Sequence, residues 1–507
     1  YDDLGRLKNV VRPIVGHVGV GKVSYQYDLH GWTTAIMTNS FQEQLHYADG
    51  NGTPCYNGNI SSVLWNNAGS SIKRGYTFSY DELNRLNNAV YSETEAHAET
   101  LGHFNEQMRY DVDGNITSLK RFGLRQDGTY GLIDDLTMKY QGVQLSWVRD
   151  MATQVLRKGS FDFKGAEAHY QYNGNGSLIS DSGKGIALIE YDNYNLPRRI
   201  QFTNGNVTEY VFTATGKKLR TTYYVAVPNI DVAMGCVHEL SKAEILRKDS
   251  IDYLLGGNLI LKNAKIDKYL FVGGYIQQDN VLFPSINQSH IGNSGMGGDR
   301  YIGWIGNENR LNGRRSPAFK VYFYNNDHLG NIREVVDEMG AVVQANDFYP
   351  LGTPFSDSIS LRNINFQPYK YNAKELDRMH GLDWYDYGAR MYDPVIGKWN
   401  AVDPLAEKYY GVSPYAYCAN NPVIFVDPDG RKFDFSKMTK GEYQSYLGQI
   451  NPLRKASPLF NTMYSSLENS KETYFISFDR IPSVVKQAGD IDAVSYTHLR
   501  AHETVLD

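Results

Sequence analysis

The sequence predicts a mainly β chain built from antiparallel hairpins, and three observations point there. The 507 residues include 39 tyrosines and 47 glycines against 17 prolines. A tyrosine-led turn recurs along the chain, and Asn-Gly or Asp-Gly dipeptides separate segments of alternating apolar and polar side chains. Tyrosine suits a half-buried strand, because its ring packs while its hydroxyl reaches water or a backbone group. Glycine supplies the tight turns between such strands.

The repeat is visible from the first residues. Tyr1-Asp2 is followed by Gly5, Tyr27-Asp28 by Gly31, Tyr80-Asp81 by Asn84 and Tyr110-Asp111 by Gly114. Tyr172-Asn173 is followed by Gly176, and Tyr191-Asp192 by Asn195. In each case the tyrosine ends a strand and packs on the sheet. The Asp or Asn beside it bonds the backbone further on and starts a turn. A Gly or Asn four residues after the tyrosine takes a positive φ with little steric cost. An apolar residue then begins the returning strand, so each unit is one hairpin. The late spacing of Tyr172, Tyr191 and Tyr210 suits two short strands and a turn.

Other turn signals agree. Asp49-Gly50, Asn57-Gly58, Asp113-Gly114, Asp127-Gly128, Asn173-Gly174 and Asn204-Gly205 are strong hairpin dipeptides. Strands are expected at Thr208–Phe212 and Lys320–Tyr324. Residues 285–318, glycine-rich and aperiodic, read as a surface loop or insertion. The competing fold is an ordinary β-sandwich, which has no reason to repeat one turn chemistry.

Charge and composition narrow the function classes. The net charge is −5, with no basic stripe of the kind a nucleic-acid surface needs. No segment approaches the roughly 20 apolar residues of a membrane-spanning helix. Cys55, Cys236 and Cys418 are too scattered for a disulfide framework or a thiolate metal site and read as isolated buried thiols. His238-Glu239 opens like a zinc helix motif, but Lys242 stands where the second histidine belongs. No cofactor or metal is expected.

From residue 321 the chain resembles the Rhs repeat-associated core of YD-repeat proteins, in the polymorphic-toxin, Bacteroidota-like form. The resemblance runs through Asp327-His328-Leu329-Gly330-Asn331-Ile332-Arg333, Tyr349-Pro350-Leu351-Gly352 and Tyr371-Asn372-Ala373-Lys374-Glu375. It continues through Trp384-Tyr385-Asp386-Tyr387-Gly388-Ala389-Arg390, Ile396-Gly397-Lys398-Trp399, Asp403-Pro404 and Asp427-Pro428-Asp429-Gly430. The weaker tyrosine repeats extend it back to residue 1. The resemblance implies a spiral shell of hairpins over 1–320, a core plug over 321–430, and a variable C-terminal effector held inside as cargo. It also implies secretion or cell-surface display, with an immunity protein and secretion machinery as partners. An adhesion or carbohydrate-binding protein of the same repeats, with surface glycans as partners, is the alternative.

The resemblance further implies that Arg390, Asp403 and Asp427 match the self-cleavage site of family members that cut themselves. Two neighbouring carboxylates cannot both ionise easily, so one is expected to act as base and the other as acid. Arg390 is expected to hold one carboxylate by a bidentate contact. The cut is expected near Arg431 and Lys432. Two departures stand against this: Asp403-Pro404-Leu405 lacks the family's glycine, and Arg431 replaces the usual leucine. The competing reading makes the Asp-Pro pairs simple turns and Arg390 a structural ion pair. His328, in the family signature, is expected to make a fixed hydrogen bond.

Residues 431–493 read as a truncated effector of small α/β type, helical from Thr439 to Asn469 with a strand at Tyr474–Phe478. Residues 494–507 look like translated sequencing adapter, expected to be disordered or arbitrarily helical. The chain opens mid-motif at Tyr1 and reads as cut from a longer protein.

Overall fold

A computed structural model describes residues 1–431 apart from 13–20, 68–69, 71, 94–101, 153–159, 214, 279–318, 358, 361–362 and 409–411. It also describes two short strands near the C-terminus. Among the described residues, twenty-four strands form one sheet. From Asn9–Val11 to Val342–Ala345 each strand pairs antiparallel with the next in sequence. No ladder joins the first strand to the last among the described residues, so the ribbon is open rather than a closed barrel. It curls until early and late strands meet through side chains. Arg12 Nη1 donates to Asn325 Oδ1 at 2.9 Å, Asn325 Nδ2 donates to Ser40 Oγ at 2.9 Å, and the Ser40 hydroxyl donates to Glu334.

The repeated turn has one geometry. Asp111 Oδ1 accepts the N–H groups of Asp113 and Asn115 at 3.0 and 2.8 Å, while Gly114 N–H returns to the Asp111 carbonyl. Asp2, Asp81, Asn173, Asp192 and Asp327 repeat that double capping. The fourth residue after the tyrosine is left-handed whether it is Gly114 at φ 80° or Asn84 at φ 60°. In the Asn173-Gly174 pair the left-handed residue is Gly176, not Gly174. The side-chain cap replaces water on backbone donors that the tight reversal would otherwise strand.

The tyrosine does more than pack. Tyr27, Tyr110, Tyr140 and Tyr191 each donate their hydroxyl to the carbonyl six residues after the preceding unit's tyrosine: Leu7, Leu86, Ile116 and Leu178. Each hairpin is thereby pinned to its predecessor, at about 1 kcal/mol per buried bond. Tyr210, expected as a repeat tyrosine from its spacing, does not serve as one. Phe212-Thr213 takes the turn position, with Thr213 Oγ1 capping Lys217 N–H, while Tyr210 points inward to Asp377 Oδ2 at 3.0 Å. The spacing misled because Tyr210 stands two residues before Phe212, the last residue of its strand, at a buried position.

The concave side of the ribbon is filled by the segment that follows it. Residues 375–399 form a second, four-stranded sheet: Glu375–Asp377, Trp384–Asp386, Met391–Asp393 and Lys398–Trp399. This plug has an aromatic core of its own, including Tyr371, Tyr385, Tyr392, Trp399 and Tyr417. Its outer face shares the main core with the ribbon, where Phe355 stacks on Phe104 with ring centroids 4.0 Å apart. Buried charge also crosses that boundary. Asp347 accepts Trp65 Nε1 at 2.8 Å and Arg74 Nη1 at 2.5 Å, and it pairs with Arg333. Arg121 binds Glu106 and Asp134 at 2.8 and 2.7 Å and reaches the carbonyls of Pro394 and Val395.

Of the three cysteines, Cys418 is buried, Cys236 is exposed and Cys55 lies between. The expectation of three buried thiols fails because Cys236 sits in a surface turn closed by its N–H on Ala233. Near the C-terminus Tyr474–Ile476 pairs antiparallel with Leu499–Ala501, so those three late residues are strand rather than helix. The glycine-rich 285–318 stretch, the expected helices after Thr439 and the rest of 494–507 lie outside the described residues.

Candidate functional site

Arg390, Asp403 and Asp427 are far apart in sequence yet meet inside the plug. Arg390 enters just before the strand Met391–Asp393, and its guanidinium lies over the Trp399 ring at 4.1 Å. The ring removes one face of the cation from water, so its donors are directed in-plane. Nη2 donates to Asp403 Oδ2 at 2.8 Å and to Asp427 Oδ2 at 3.2 Å. Nη1 donates to the Pro414 carbonyl at 3.0 Å and Nε to the Gly430 carbonyl at 2.6 Å. The expected bidentate grip on one carboxylate is replaced by one nitrogen shared between two, because Nε and Nη1 are taken by main chain.

Each aspartate spends its other oxygen on a turn. Asp403 Oδ1 accepts Leu405 N–H at 2.7 Å. Asp427 Oδ1 accepts the N–H groups of Asp429, Gly430 and Arg431 at 3.1, 2.7 and 3.2 Å. The Asp-Pro pairs are therefore turns and charged partners of Arg390 at once. Gly430 is left-handed, at φ 77°, and a Cβ there would sit 2.9 Å from the Arg390 backbone nitrogen. Close approach of chain to chain at this point requires glycine.

Burial sets the protonation of the pair. It pushes Asp427 up to about 6 against the pull of Arg390, with the Asp429 carboxylate adding to the rise. Burial also raises Asp403, again opposed by Arg390. Desolvation rather than mutual repulsion of the two carboxylates is thus the leading cause. Arg390 itself is drawn below its usual range by burial, offset by both aspartates. A buried carboxyl that titrates near 6 can hold or give a proton close to neutral pH.

No protein-family model matches the chain. It is 27% identical over 212 residues to toxin subunit YenC1 of Yersinia entomophaga, a match covering 41% of this chain and 21% of that one. It is 39% identical over 110 residues to salivary gland surface protein 1 of Aedes aegypti, covering 21% of this chain and 3% of that one. A crystal structure of TcdB2-TccC3-TEV overlays with a TM-score of 0.48 at 14% identity, covering 82% of this chain and 20% of that chain. The repeated Asp-capped turn, its tyrosine lock and the ordered core motifs decide the matter with the toxin-subunit similarity. The chain is a YD-repeat, Rhs-type protein. These relatives do not bear on the Bacteroidota-like form, and the matches span only 3% and 21% of the two curated relatives' lengths.

Within this YD-repeat chain the other expected residues fall into place by role. Tyr27, Tyr110 and Tyr191 are inter-hairpin locks, Asp28, Asp111 and Asp192 cap turns, and Tyr172 packs edge-on against Tyr415 of the plug. Asp327 and Gly330 form one more turn of the same kind, so the core signature begins as a repeat unit. Arg431 is exposed, and Lys432 lies outside the described residues. The sequence did not reveal Trp399 as the platform under Arg390, nor that Asp427 holds the peptide beyond Gly430.

His328 bridges ribbon and plug. Its Nδ1 meets Glu43 Oε1 at 2.9 Å and its Nε2 meets the Val423 carbonyl at 3.0 Å. Burial alone would lower its pKa, but the Glu43 carboxylate outweighs burial and lifts it to about 9. A folded pKa above the unfolded value gives stability that is complete below about 6.5 and lost as pH rises through 9. Between pH 6 and pH 9.5, urea unfolding is expected to show a stability loss of about 3 kcal/mol from this residue. That component should be missing from the His328→Gln protein.

Proposed function

We propose that this protein is a scaffold that encloses a C-terminal effector and cuts its own chain at the plug. The observation that carries the reading is that both atoms of one peptide link are held. The Gly430 carbonyl accepts Arg390 Nε, and the Arg431 nitrogen lies 3.2 Å from Asp427 Oδ1. This favours Gly430–Arg431 as the scissile bond, one link before the position expected from the family pattern.

In this reading Asp403 takes a proton from water, whose oxygen adds to the Gly430 carbonyl carbon. Arg390 stabilises the negative charge that develops on the carbonyl oxygen. Asp427, the deeper carboxyl, gives its proton to the Arg431 nitrogen as the C–N bond breaks. The products are a Gly430 carboxylate and a free Arg431 amine. The protein is then a secreted or surface-displayed toxin component, with export machinery and an immunity protein as partners.

Intact-mass measurement of the purified chain tests this. Two polypeptides are expected, one ending at Gly430 and one beginning at Arg431. A single uncut chain would remove the self-cleavage reading, and a fragment beginning at Lys432 would remove the choice of bond.

A further inference from the structure

The segment Asp427–Arg431 is gripped from two sides. On one side Asp427 Oδ1 collects three successive N–H groups. On the other, three successive carbonyls meet three donors. Lys374 Nζ donates to the Pro428 carbonyl at 2.5 Å, Ala389 N–H to that of Asp429 at 3.1 Å, and Arg390 Nε to that of Gly430 at 2.6 Å.

Lys374 is the outermost of these donors and the one whose place is built by a separate element. It follows two consecutive left-handed residues, Asn372 at φ 47° and Ala373 at φ 55°. That turn is fixed from within, since Asn372 Oδ1 accepts the Tyr387 hydroxyl at 2.7 Å and Asn372 Nδ2 donates to the Leu329 carbonyl at 3.2 Å. Two left-handed non-glycine residues in a row are costly and persist only where the surroundings impose them. The ammonium then lies 5.1 Å from the Tyr387 ring centroid. Its hydrogen bond goes to a carbonyl, although the Asp386, Asp427 and Asp429 carboxylates all attract it. Proline fixes φ at residue 428, so clamping the Pro428 carbonyl leaves few soft dihedrals before Gly430.

We infer that Lys374 is a positioning residue for self-cleavage, one that sets the path of residues 428–430 so that the Gly430 carbonyl is presented to Arg390. The inference rests on the self-cleavage reading above. Misplacing a reacting group by about 1 Å can cost as much as a hundredfold in rate. Lys374→Met should therefore slow cutting at least about tenfold.

Pulse-chase synthesis of the full chain measures the rate at which precursor becomes product, and trypsin resistance of the 1–430 part reports folding. Lys374→Met is expected to fold and to cut at least tenfold slower, with Lys374→Arg restoring the rate to within about threefold. Lys164→Met serves as control. Lys164 also donates to a plug carbonyl, that of Gly381 at 2.6 Å, and its loss should leave the rate unchanged. A folded Lys374→Met chain that cuts at the wild-type rate overturns the inference while leaving the self-cleavage reading intact. An uncut wild-type chain instead overturns that reading, and the inference with it. If the methionine variant does not become trypsin-resistant, Lys374→Gln takes its place with the same two outcomes.

Discussion

The Asp427→Asn variant is expected to remain one full-length chain, with cutting slowed about a thousandfold or more. Asparagine keeps the size of the side chain and an oxygen that can accept the N–H groups of Asp429, Gly430 and Arg431, so the turn survives. It cannot store and give a proton. The variant thus separates holding the peptide from protonating it. Asp403→Asn should fail as well, through loss of the base, whereas Asp429→Asn should still cut, because the Asp429 carboxylate acts on Asp427, Asp403 and Lys374 through its charge and handles no proton in the reaction. Wild-type cutting in Asp427→Asn, measured on denaturing gels over hours, would contradict the assigned chemistry and return Arg390 to a purely structural role.

The second large effect concerns how the plug is held. Arg121→Met is expected to destabilise the protein by about 4 kcal/mol at pH 7.5, read from the midpoint of urea unfolding. Arg121 and its partners Glu106 and Asp134 are completely buried. Without the guanidinium, two carboxylates remain in the interior facing each other, and the carbonyls of Pro394 and Val395 lose their donor. The loss should shrink at pH 5, because burial raises the Glu106 carboxyl and lets it take up a proton once the guanidinium is gone. Adding Glu106→Gln and Asp134→Asn to Arg121→Met should recover much of the stability, since removing a whole buried cluster costs less than orphaning half of it. A change below about 1 kcal/mol would mean that the interface does not depend on this cluster.

Much of the ribbon could be read from the sequence because its rules are local. Asp111 caps donors two and four residues on, and Gly114 supplies the left-handed step, all within one turn. The tyrosine locks were not legible, because Tyr110 bonds the main-chain carbonyl of Leu86, and a backbone partner leaves no mark on residue type. Tyr210 showed the opposite failure: a spacing that fits the repeat, on a side chain whose strand position turns it inward. At the site, residue identities came from motif resemblance, and the chain then brought Arg390, Asp403 and Asp427 together. Which atoms share a bond was beyond sequence. The division of Nη2 between two acids follows from main-chain carbonyls occupying the rest of the guanidinium. The cross-connections at Asp347 and Arg121 join residues more than 270 positions apart, and no local pattern announces them.

In the proposed scaffold, one continuous ribbon wraps the plug and keeps hold of whatever follows Gly430. Size-exclusion chromatography of the cut protein under native conditions tests it most directly. Residues 1–430 and the fragment beginning at Arg431 are expected to elute together and to separate only in denaturant. Separate elution of the two pieces in native buffer would contradict it.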